Sequence, residues 1–357
     1  MLGDTSWLCP LIALCLLLIA LSGCKRDATG QAGPDSASTQ PASTPARGEV
    51  TLYTSADEPF ARMIIEDFTR RTNIRVRPLF DTEADKTTGL ARRIRAEAAR
   101  PQADVFWASE PFQMIFLAHD GLLDAYLPET ASDIPVAYRD AKDRWIGFGL
   151  RGRVLCYNPQ MIQADALPKT WQALADSPHA EKVIFANPLF GTTRGHVAAM
   201  LSMWGEPVFT AWVDKLASAG IAKRMAAGNA MLARQVAMGQ HPMGATDTDD
   251  VIVLQKAGQK IEMIYPDMGA GGTLLLPNTV GLLKNAPHAD LARQLLAYLC
   301  SPIVEEALAR SESANIPVRP ALRDKLNIQM PPASAVDYVK VAESMPRAIE
   351  IVQERWK

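Results

Sequence analysis

Cysteine, histidine and charge of a single sign are all scarce in this chain, and each shortage narrows what it can do. Of five cysteines in 357 residues, Cys9, Cys15 and Cys24 lie near the N-terminus, leaving Cys156 and Cys300 for the rest. No CxxC or Cys/His spacing suits a structural zinc site. Cys156 sits in an apolar run and Cys300 near the end of an apolar helical pattern, so two separately buried thiols are expected rather than a bridge. The histidines, His119, His179, His196, His241 and His288, show no ligand spacing; only His196, just inside a helix start, is placed to look into a cleft. Lys plus Arg number 37 and Asp plus Glu 39, a net charge of -2. That balance argues against nucleic acid as a partner. Gly-x-Ser-x-Gly, His-Glu-x-x-His and Walker patterns are all missing, which removes the commonest hydrolase, metalloprotease and nucleotide signatures.

Nor is there an apolar run long enough to span a bilayer as a helix, which takes about 20 residues. Residues 7–21 form a shorter run with Cys and one Pro, a fit to a signal-peptide core, although the preceding residues carry Asp4 and no basic residue. It closes on Leu21-Ser22-Gly23-Cys24, which resembles the lipobox of bacterial lipoproteins. The expectation is a signal peptide at 1–23, a lipid anchor on Cys24, and a body held outside the cytoplasmic membrane, in the periplasm or on the cell surface. Residues 24–48 are rich in Ala, Gly, Pro, Ser and Thr without a large hydrophobe, and read as a flexible linker.

From residue 49 the chain alternates apolar strand patterns with helical ones. A strand at 50–53 precedes a helix at 58–71 whose Phe60, Ile64, Ile65 and Phe68 share a face, and 74–76, 87–99 and 103–107 continue the alternation. A second alternating region has strands at 182–186, 243–245 and 261–265. Such alternation predicts an α/β fold with largely parallel sheet covered by helices. Extended apolar stretches near 147–153 and 274–280, the latter interrupted by Pro277-Asn278, read as crossings between two lobes. The expected division is 49–147 plus 277–357 for lobe 1 and 148–276 for lobe 2.

Ligands of open α/β sheets bind beyond the carboxyl ends of strands, and four such places are polar. Ser55 and Asp57 follow the first strand, and either cap the next helix or touch a ligand. Glu110 follows the 103–107 strand, as ligand contact or first-turn acid. Gly191, Thr192 and Thr193 open a helix, where close backbone approach and end amides suit an anion or an ordinary cap. Thr248 and Asp249 belong to an acidic turn at 246–250, where three carboxylates within four residues call for a cation or donors nearby. Tyr265, beside Pro266, is a further lining candidate.

Together the lipobox, the polar linker, the opening Val50-Thr51-Leu52-Tyr53-Thr54-Ser55, the Ala103-Asp104-Val105-Phe106-Trp107 strand with Glu110 behind it, and the Gly191-Thr192-Thr193 turn resemble periplasmic solute-binding proteins of ABC importers, of the ferric-binding type. The resemblance implies a two-lobed periplasmic-binding-protein fold of type II, with two extended hinge segments, and a monomer that delivers its solute to an ABC transporter permease without being an enzyme. It makes Glu110 a metal ligand, with Asp249 as a second carboxylate donor, and Gly191, Thr192 and Thr193 the holders of a synergistic anion. No resident cofactor is implied; the metal, iron(III) or another, would be the transported ligand. Where the family places a histidine this chain has Ser55 and Asp57, and where it places adjacent tyrosines, Thr248 and Asp249. Carboxylates remain good donors to hard cations. Two alternatives stay open: a small zwitterion such as an amino-phosphonate as solute, and an enzyme using Glu110 and Asp249 as acid and base on a sugar or phosphate ester.

Overall fold

The structure, a computed structural model, describes residues 46–81 and 86–357. The apolar leader, Cys24 and all but the end of the expected linker lie outside them. No helix among the described residues is long and apolar enough to cross a membrane.

The first lobe opens as β1 (Glu49–Thr54), α1 (Glu58–Thr72), β2 (Arg75–Phe80), α2 (Thr88–Ala96), β3 (Val105–Ala108), α3 (Phe112–His119) and the short β4 (Leu123–Asp124). α1 forms because Ala61, Ile64, Ile65 and Phe68 fall on one buried face at helical spacing. It stops at Asn73, which takes the left-handed conformation that ends many helices. β2 and β3 flank β1 in parallel.

β5 (Ile146–Tyr157) then runs as one unbroken, wholly buried strand, longer than the crossing expected near 147–153. It leads into α4 (Trp171–Leu174), β6 (Val183–Ala186), α5 (Gly191–Trp204), α6 (Glu206–Ser218), β7 (Met225–Ala226), α7 (Asn229–Ala237), β8 (Met243–Asp247), α8 (Thr248–Lys256) and β9 (Glu262–Ile264). The chain returns through β10 (Leu275–Leu283), followed by α9 (Ala289–Leu299), α10 (Pro302–Arg310), α11 (Pro320–Leu326) and α12 (Tyr338–Arg355).

β5 and β10 join the lobes. The sheet order is β2-β1-β3-β10-β5-β8-β6-β7, with β4 on β10 and β9 on β5. β5 pairs with β10 as far as Gly152 and with β8 from Arg153 onward, so it changes partner between those two residues. β10 shifts register at Pro277/Asn278, where proline has no amide to give the ladder. The polypeptide thus carries two lobes of α/β structure joined by two extended hinge strands.

The expected division put 277–357 with the first lobe, yet α12 packs chiefly on α5 of the second. Its aromatic end explains the choice. The Trp356 ring lies 5.7 Å from Phe185 and 6.0 Å from Trp212, and its indole N–H donates to the Val213 carbonyl. α12 also touches α3, and one apolar cluster runs from Phe106 and Leu117 of the first lobe to Val183, Trp212 and Val352. Cys156 and Cys300 are buried and free, as expected.

A polar cleft between the lobes

The carboxyl ends of β1, β3, β6 and β8 meet across the gap between the lobes. On the first-lobe side Ser55, Thr87 and Ser109 form a buried hydroxyl cluster. Thr87 Oγ1 donates to Ser55 Oγ at 2.8 Å, and the Ser109 amide donates to the same oxygen at 3.0 Å. Asp57 precedes α1 without capping it; its carboxylate pairs with Lys86 at 2.5 Å. Burial pulls the Asp57 carboxyl up, but Lys86 and Arg151 outweigh that and hold it below the ordinary range.

On the second-lobe side Asp247 caps α8, and with Asp250 makes a capping box. Arg153, fully buried on β5, donates to Asp247 Oδ1 at 2.8 Å, to Thr192 Oγ1 at 3.2 Å and, through Nε, to His196 Nδ1 at 3.3 Å. Thr192 donates to Asp247 Oδ2 at 2.6 Å and Asn229 donates to the same oxygen at 3.1 Å. Burial raises the Asp247 carboxyl, but Arg153 and Arg151 prevail and keep it ionised. Arg151 lies between the lobes, donating to the Ser109 carbonyl of the first and, at 3.3 Å, to Asp249 Oδ2 of the second. Burial, with Asp247 and Asp57 nearby and despite Arg151, pushes Asp249 up to about 6. Burial, with Asp249 and Asp247 nearby, raises the Asp250 carboxyl well above its ordinary value, and its Oδ2 accepts from the Thr246 hydroxyl at 2.7 Å.

A cavity of about 30 Å³ lies among these groups, lined from the first lobe by Asp57, Lys86 and Ser109 and from the hinge by Arg151. The second lobe contributes the opening residues of α5 and of α7, Gly191 to Thr193 and Gly228 to Ala230. Neither helix has a side-chain cap, so two sets of end amides and two positive dipole ends border one small space. Gly191 sits at φ +55, and a Cβ there would meet nothing within 4 Å; the backbone turn requires the glycine, not crowding. Each acid lining this cavity already has a partner, Asp57 in Lys86, Asp247 in Arg153, and Asp250 in the Thr246 hydroxyl. What remains uncompensated is the positive end of two helices.

Gly191, Thr192, Thr193 and Asp57 therefore line the cavity. Ser55 is turned into its hydroxyl cluster, and Thr248 accepts from the Gly152 amide at 3.1 Å. Glu110, expected as a metal ligand, accepts from the Phe112 and Gln113 amides at 2.5 and 3.1 Å, capping α3 from a buried position. Burial raises it to about 7 despite those amides. Asp247, Asp249 and Asp250 offer oxygens within 4.8 Å of one another, but only Asp249 Oδ1 is a buried oxygen without a partner. Tyr265 is 38% exposed and outside the cavity lining. His196 faces Trp171 edge-on at 4.3 Å, is kept neutral by burial and Arg153, and does not reach the cavity.

Arg151, Arg153, Lys86 and Asn229 were not anticipated. Two arginines in Arg151-Gly152-Arg153, inside an otherwise apolar crossing, were the available signal.

Two lobes, two hinge strands and a polar cleft lined by strand ends and helix starts define a periplasmic binding protein of type II. The chain belongs to the family of bacterial extracellular solute-binding proteins, whose model matches residues 63–336. It is 25% identical over 272 residues to iron uptake protein A1 of Synechocystis sp., covering 74% of each chain. It is 24% identical over 297 residues to the major ferric iron-binding protein of Neisseria meningitidis, covering 81% of this chain and 86% of that one. The crystal structure of iron-bound HitA from Pseudomonas aeruginosa superposes with a TM-score of 0.73 at 25% identity, covering 86% of this chain and 98% of that one.

Proposed function

We propose that this protein is the extracytoplasmic capture component of an ABC importer, tethered through Cys24, closing its lobes on a small oxyanion-bearing solute and presenting it to a permease without turning it over. The carrying observation is the convergence of the uncapped starts of α5 and α7 with Arg151 and Lys86 on one cavity. The names of the relatives favour iron(III) as cargo. With the acids of the 246–250 turn already engaged, iron would arrive as a complex carrying its own oxyanion ligands, with Asp249 available as one further oxygen.

Elemental analysis and native mass spectrometry of the protein as purified, with thermal stabilisation by inorganic phosphate and by ferric citrate, test this reading. A solute that binds only the folded state raises the unfolding temperature in proportion to the logarithm of its concentration. Stabilisation by phosphate or ferric citrate, with the solute recovered unchanged, is expected. Stabilisation by neither, or catalytic conversion of a phosphate ester, would overturn it.

A further inference from the structure

Where the chain enters the first lobe, five arginines gather at one corner. The Arg47 amide donates to the Asn73 carbonyl at 2.8 Å and the Arg75 amide to the Gly48 carbonyl at 3.0 Å, which stitches the start of β1 to the turn between α1 and β2. Arg70 and Arg71 close α1 just before that turn, and Arg75 and Arg77 open β2 just after it. The side chains of these four are 51% to 69% exposed, and Arg47 is exposed as well. Val76 is buried with Ile64 and Phe68 of α1, so Arg75 and Arg77 project to the other face of the sheet and the corner is basic on both sides. The acids facing it are Glu49, Glu66 and Asp67. Glu49 lies 3.6 Å from Arg75 and 3.9 Å from Arg77, and Asp67 holds Arg70 at 2.8 Å and Arg71 at 2.5 Å. Nearby, α9 brings only the Asp290–Arg293 pair, at 3.0 Å. Five cations against three acids leave an excess of two on a chain whose net charge is -2.

Two structural roles account for part of this. Cations suit the carboxyl end of α1, and β2 is an edge of the sheet, where charge discourages pairing with another chain. Neither role calls for Arg47, nor for a cluster at the one place where a tether from Cys24 arrives. Cys24 precedes Arg47 by 23 residues, at most about 80 Å of chain, and that chain attaches to the body at this corner. The corner is also the end of the lobe remote from the solute. β1 and β2 run parallel away from it, and the six residues of β1 set about 20 Å of strand between Glu49 and the cleft.

We propose that this corner is a seat for an anionic lipid surface, the membrane that holds the anchor, and that the seated protein points its cleft away from the bilayer. Each basic side chain beside an anionic surface strengthens contact about fivefold, so an excess of two favours the seated orientation roughly 25-fold. That attraction is weak by itself and becomes effective because a tether keeps the surface at high local concentration. The inference rests on the tether at Cys24 proposed above and adds the face that the tethered body turns to the lipid.

Arginine footprinting tests it. Cys156 and Cys300 are buried, so the chain from Cys24 onward, which contains the whole folded unit 45–357, couples through Cys24 to a maleimide-bearing lipid. The vesicles contain phosphatidylcholine alone or an equal mixture with phosphatidylglycerol. Phenylglyoxal labelling, read by peptide mass spectrometry, reports each guanidinium. On the anionic vesicles labelling of Arg70, Arg71, Arg75 and Arg77 should fall at least about threefold relative to the neutral ones. Arg234, on α7 beside Asp249 and Asp250 of the cleft, should label equally on both. Salt at 1 M shortens the screening length to about 3 Å and should abolish the difference. Arg75→Gln with Arg77→Gln should remove the protection of Arg70 and Arg71 and leave Tm unchanged. Equal labelling on the two vesicles, protection that survives 1 M salt, or protection of Arg234 in place of the corner overturns the seat. If the double variant does not fold, the wild-type footprint and its salt dependence decide. The intact mass of the chain extracted from cell membranes tests the tether separately: Cys24 without lipid refutes the tether and leaves the vesicle footprint to decide the surface.

Discussion

Replacing Arg153 by Met tests how the second-lobe wall of the cleft is held. Arg153 is fully buried and its 2.8 Å bond to Asp247 is the shortest of its contacts. Met fills much of the space of the arginine stem but leaves the Asp247 carboxylate to Thr192, Asn229 and the more distant Arg151, 3.9 Å away. Removing one partner of a buried pair destabilises by about 3 to 5 kcal/mol because the other charge stays behind; the surviving donors put this case near 3. The folded unit spans residues 45–357, and an unfolding entropy of about 2.1 cal/mol/K per residue turns that loss into a fall in Tm of roughly 5 °C. Urea unfolding followed by tryptophan fluorescence, with calorimetry beside it, measures both quantities. Asp247→Asn keeps a capping side chain on α8, and combining it with Arg153→Met should lose less than the two single losses summed, by about 1 kcal/mol or more. A loss under about 1 kcal/mol for Arg153→Met, or strict additivity in the double variant, would refute the reasoning.

Arg151→Gln withdraws the hinge cation that lines the cavity, and should weaken phosphate or ferric citrate binding at least about tenfold by calorimetry; a change under about threefold counts against its role. Glu110 is raised from 4.5 to about 7 in the folded state. Its contribution is therefore fully present below about pH 4.5 and lost as pH rises through 7, by about 3 kcal/mol. Glu110→Gln should flatten the decline of stability with pH across that window, and an unchanged slope would sink the assignment. Gly195 lies on α5 against α3: a Cβ there would sit 2.1 Å from a ring carbon of Phe112. Gly195→Ala should lower Tm through overpacking of about 1 to 3 kcal/mol despite alanine's better helix propensity, and a raised Tm would show that the two helices separate freely.

Much of this architecture can be read before any coordinates, and the reason is local. α1 and β3 declare themselves through their apolar patterns and the hinge in β10 through Pro277-Asn278, whereas α8 hides behind a turn that reads only as acidic. The cleft is harder because its chemistry is non-local. Arg153 meets partners at 192, 196 and 247, and Arg151 joins residues 109 and 249; a linear pattern shows the arginines but not whom they face. Glu110 shows how a local hydrogen bond escapes a linear reading. An acid after a strand looks like a ligand, and only the amides of Phe112 and Gln113 reveal that the chain has spent it on itself. α12 strays from its expected lobe because Trp356 finds Phe185 and Trp212, an aromatic match invisible to helical spacing.

That C-terminal helix also bears on how the molecule comes apart. Beside a core in each half, one apolar network threads α3, α5, α6 and α12 and is shared by both, so a scanning calorimeter should record one endotherm instead of two. Gene fragments encoding only the amino-terminal or only the central portion would each expose an unfinished oily flank, so excision of a free-standing piece should yield aggregates where the intact polypeptide stays in solution.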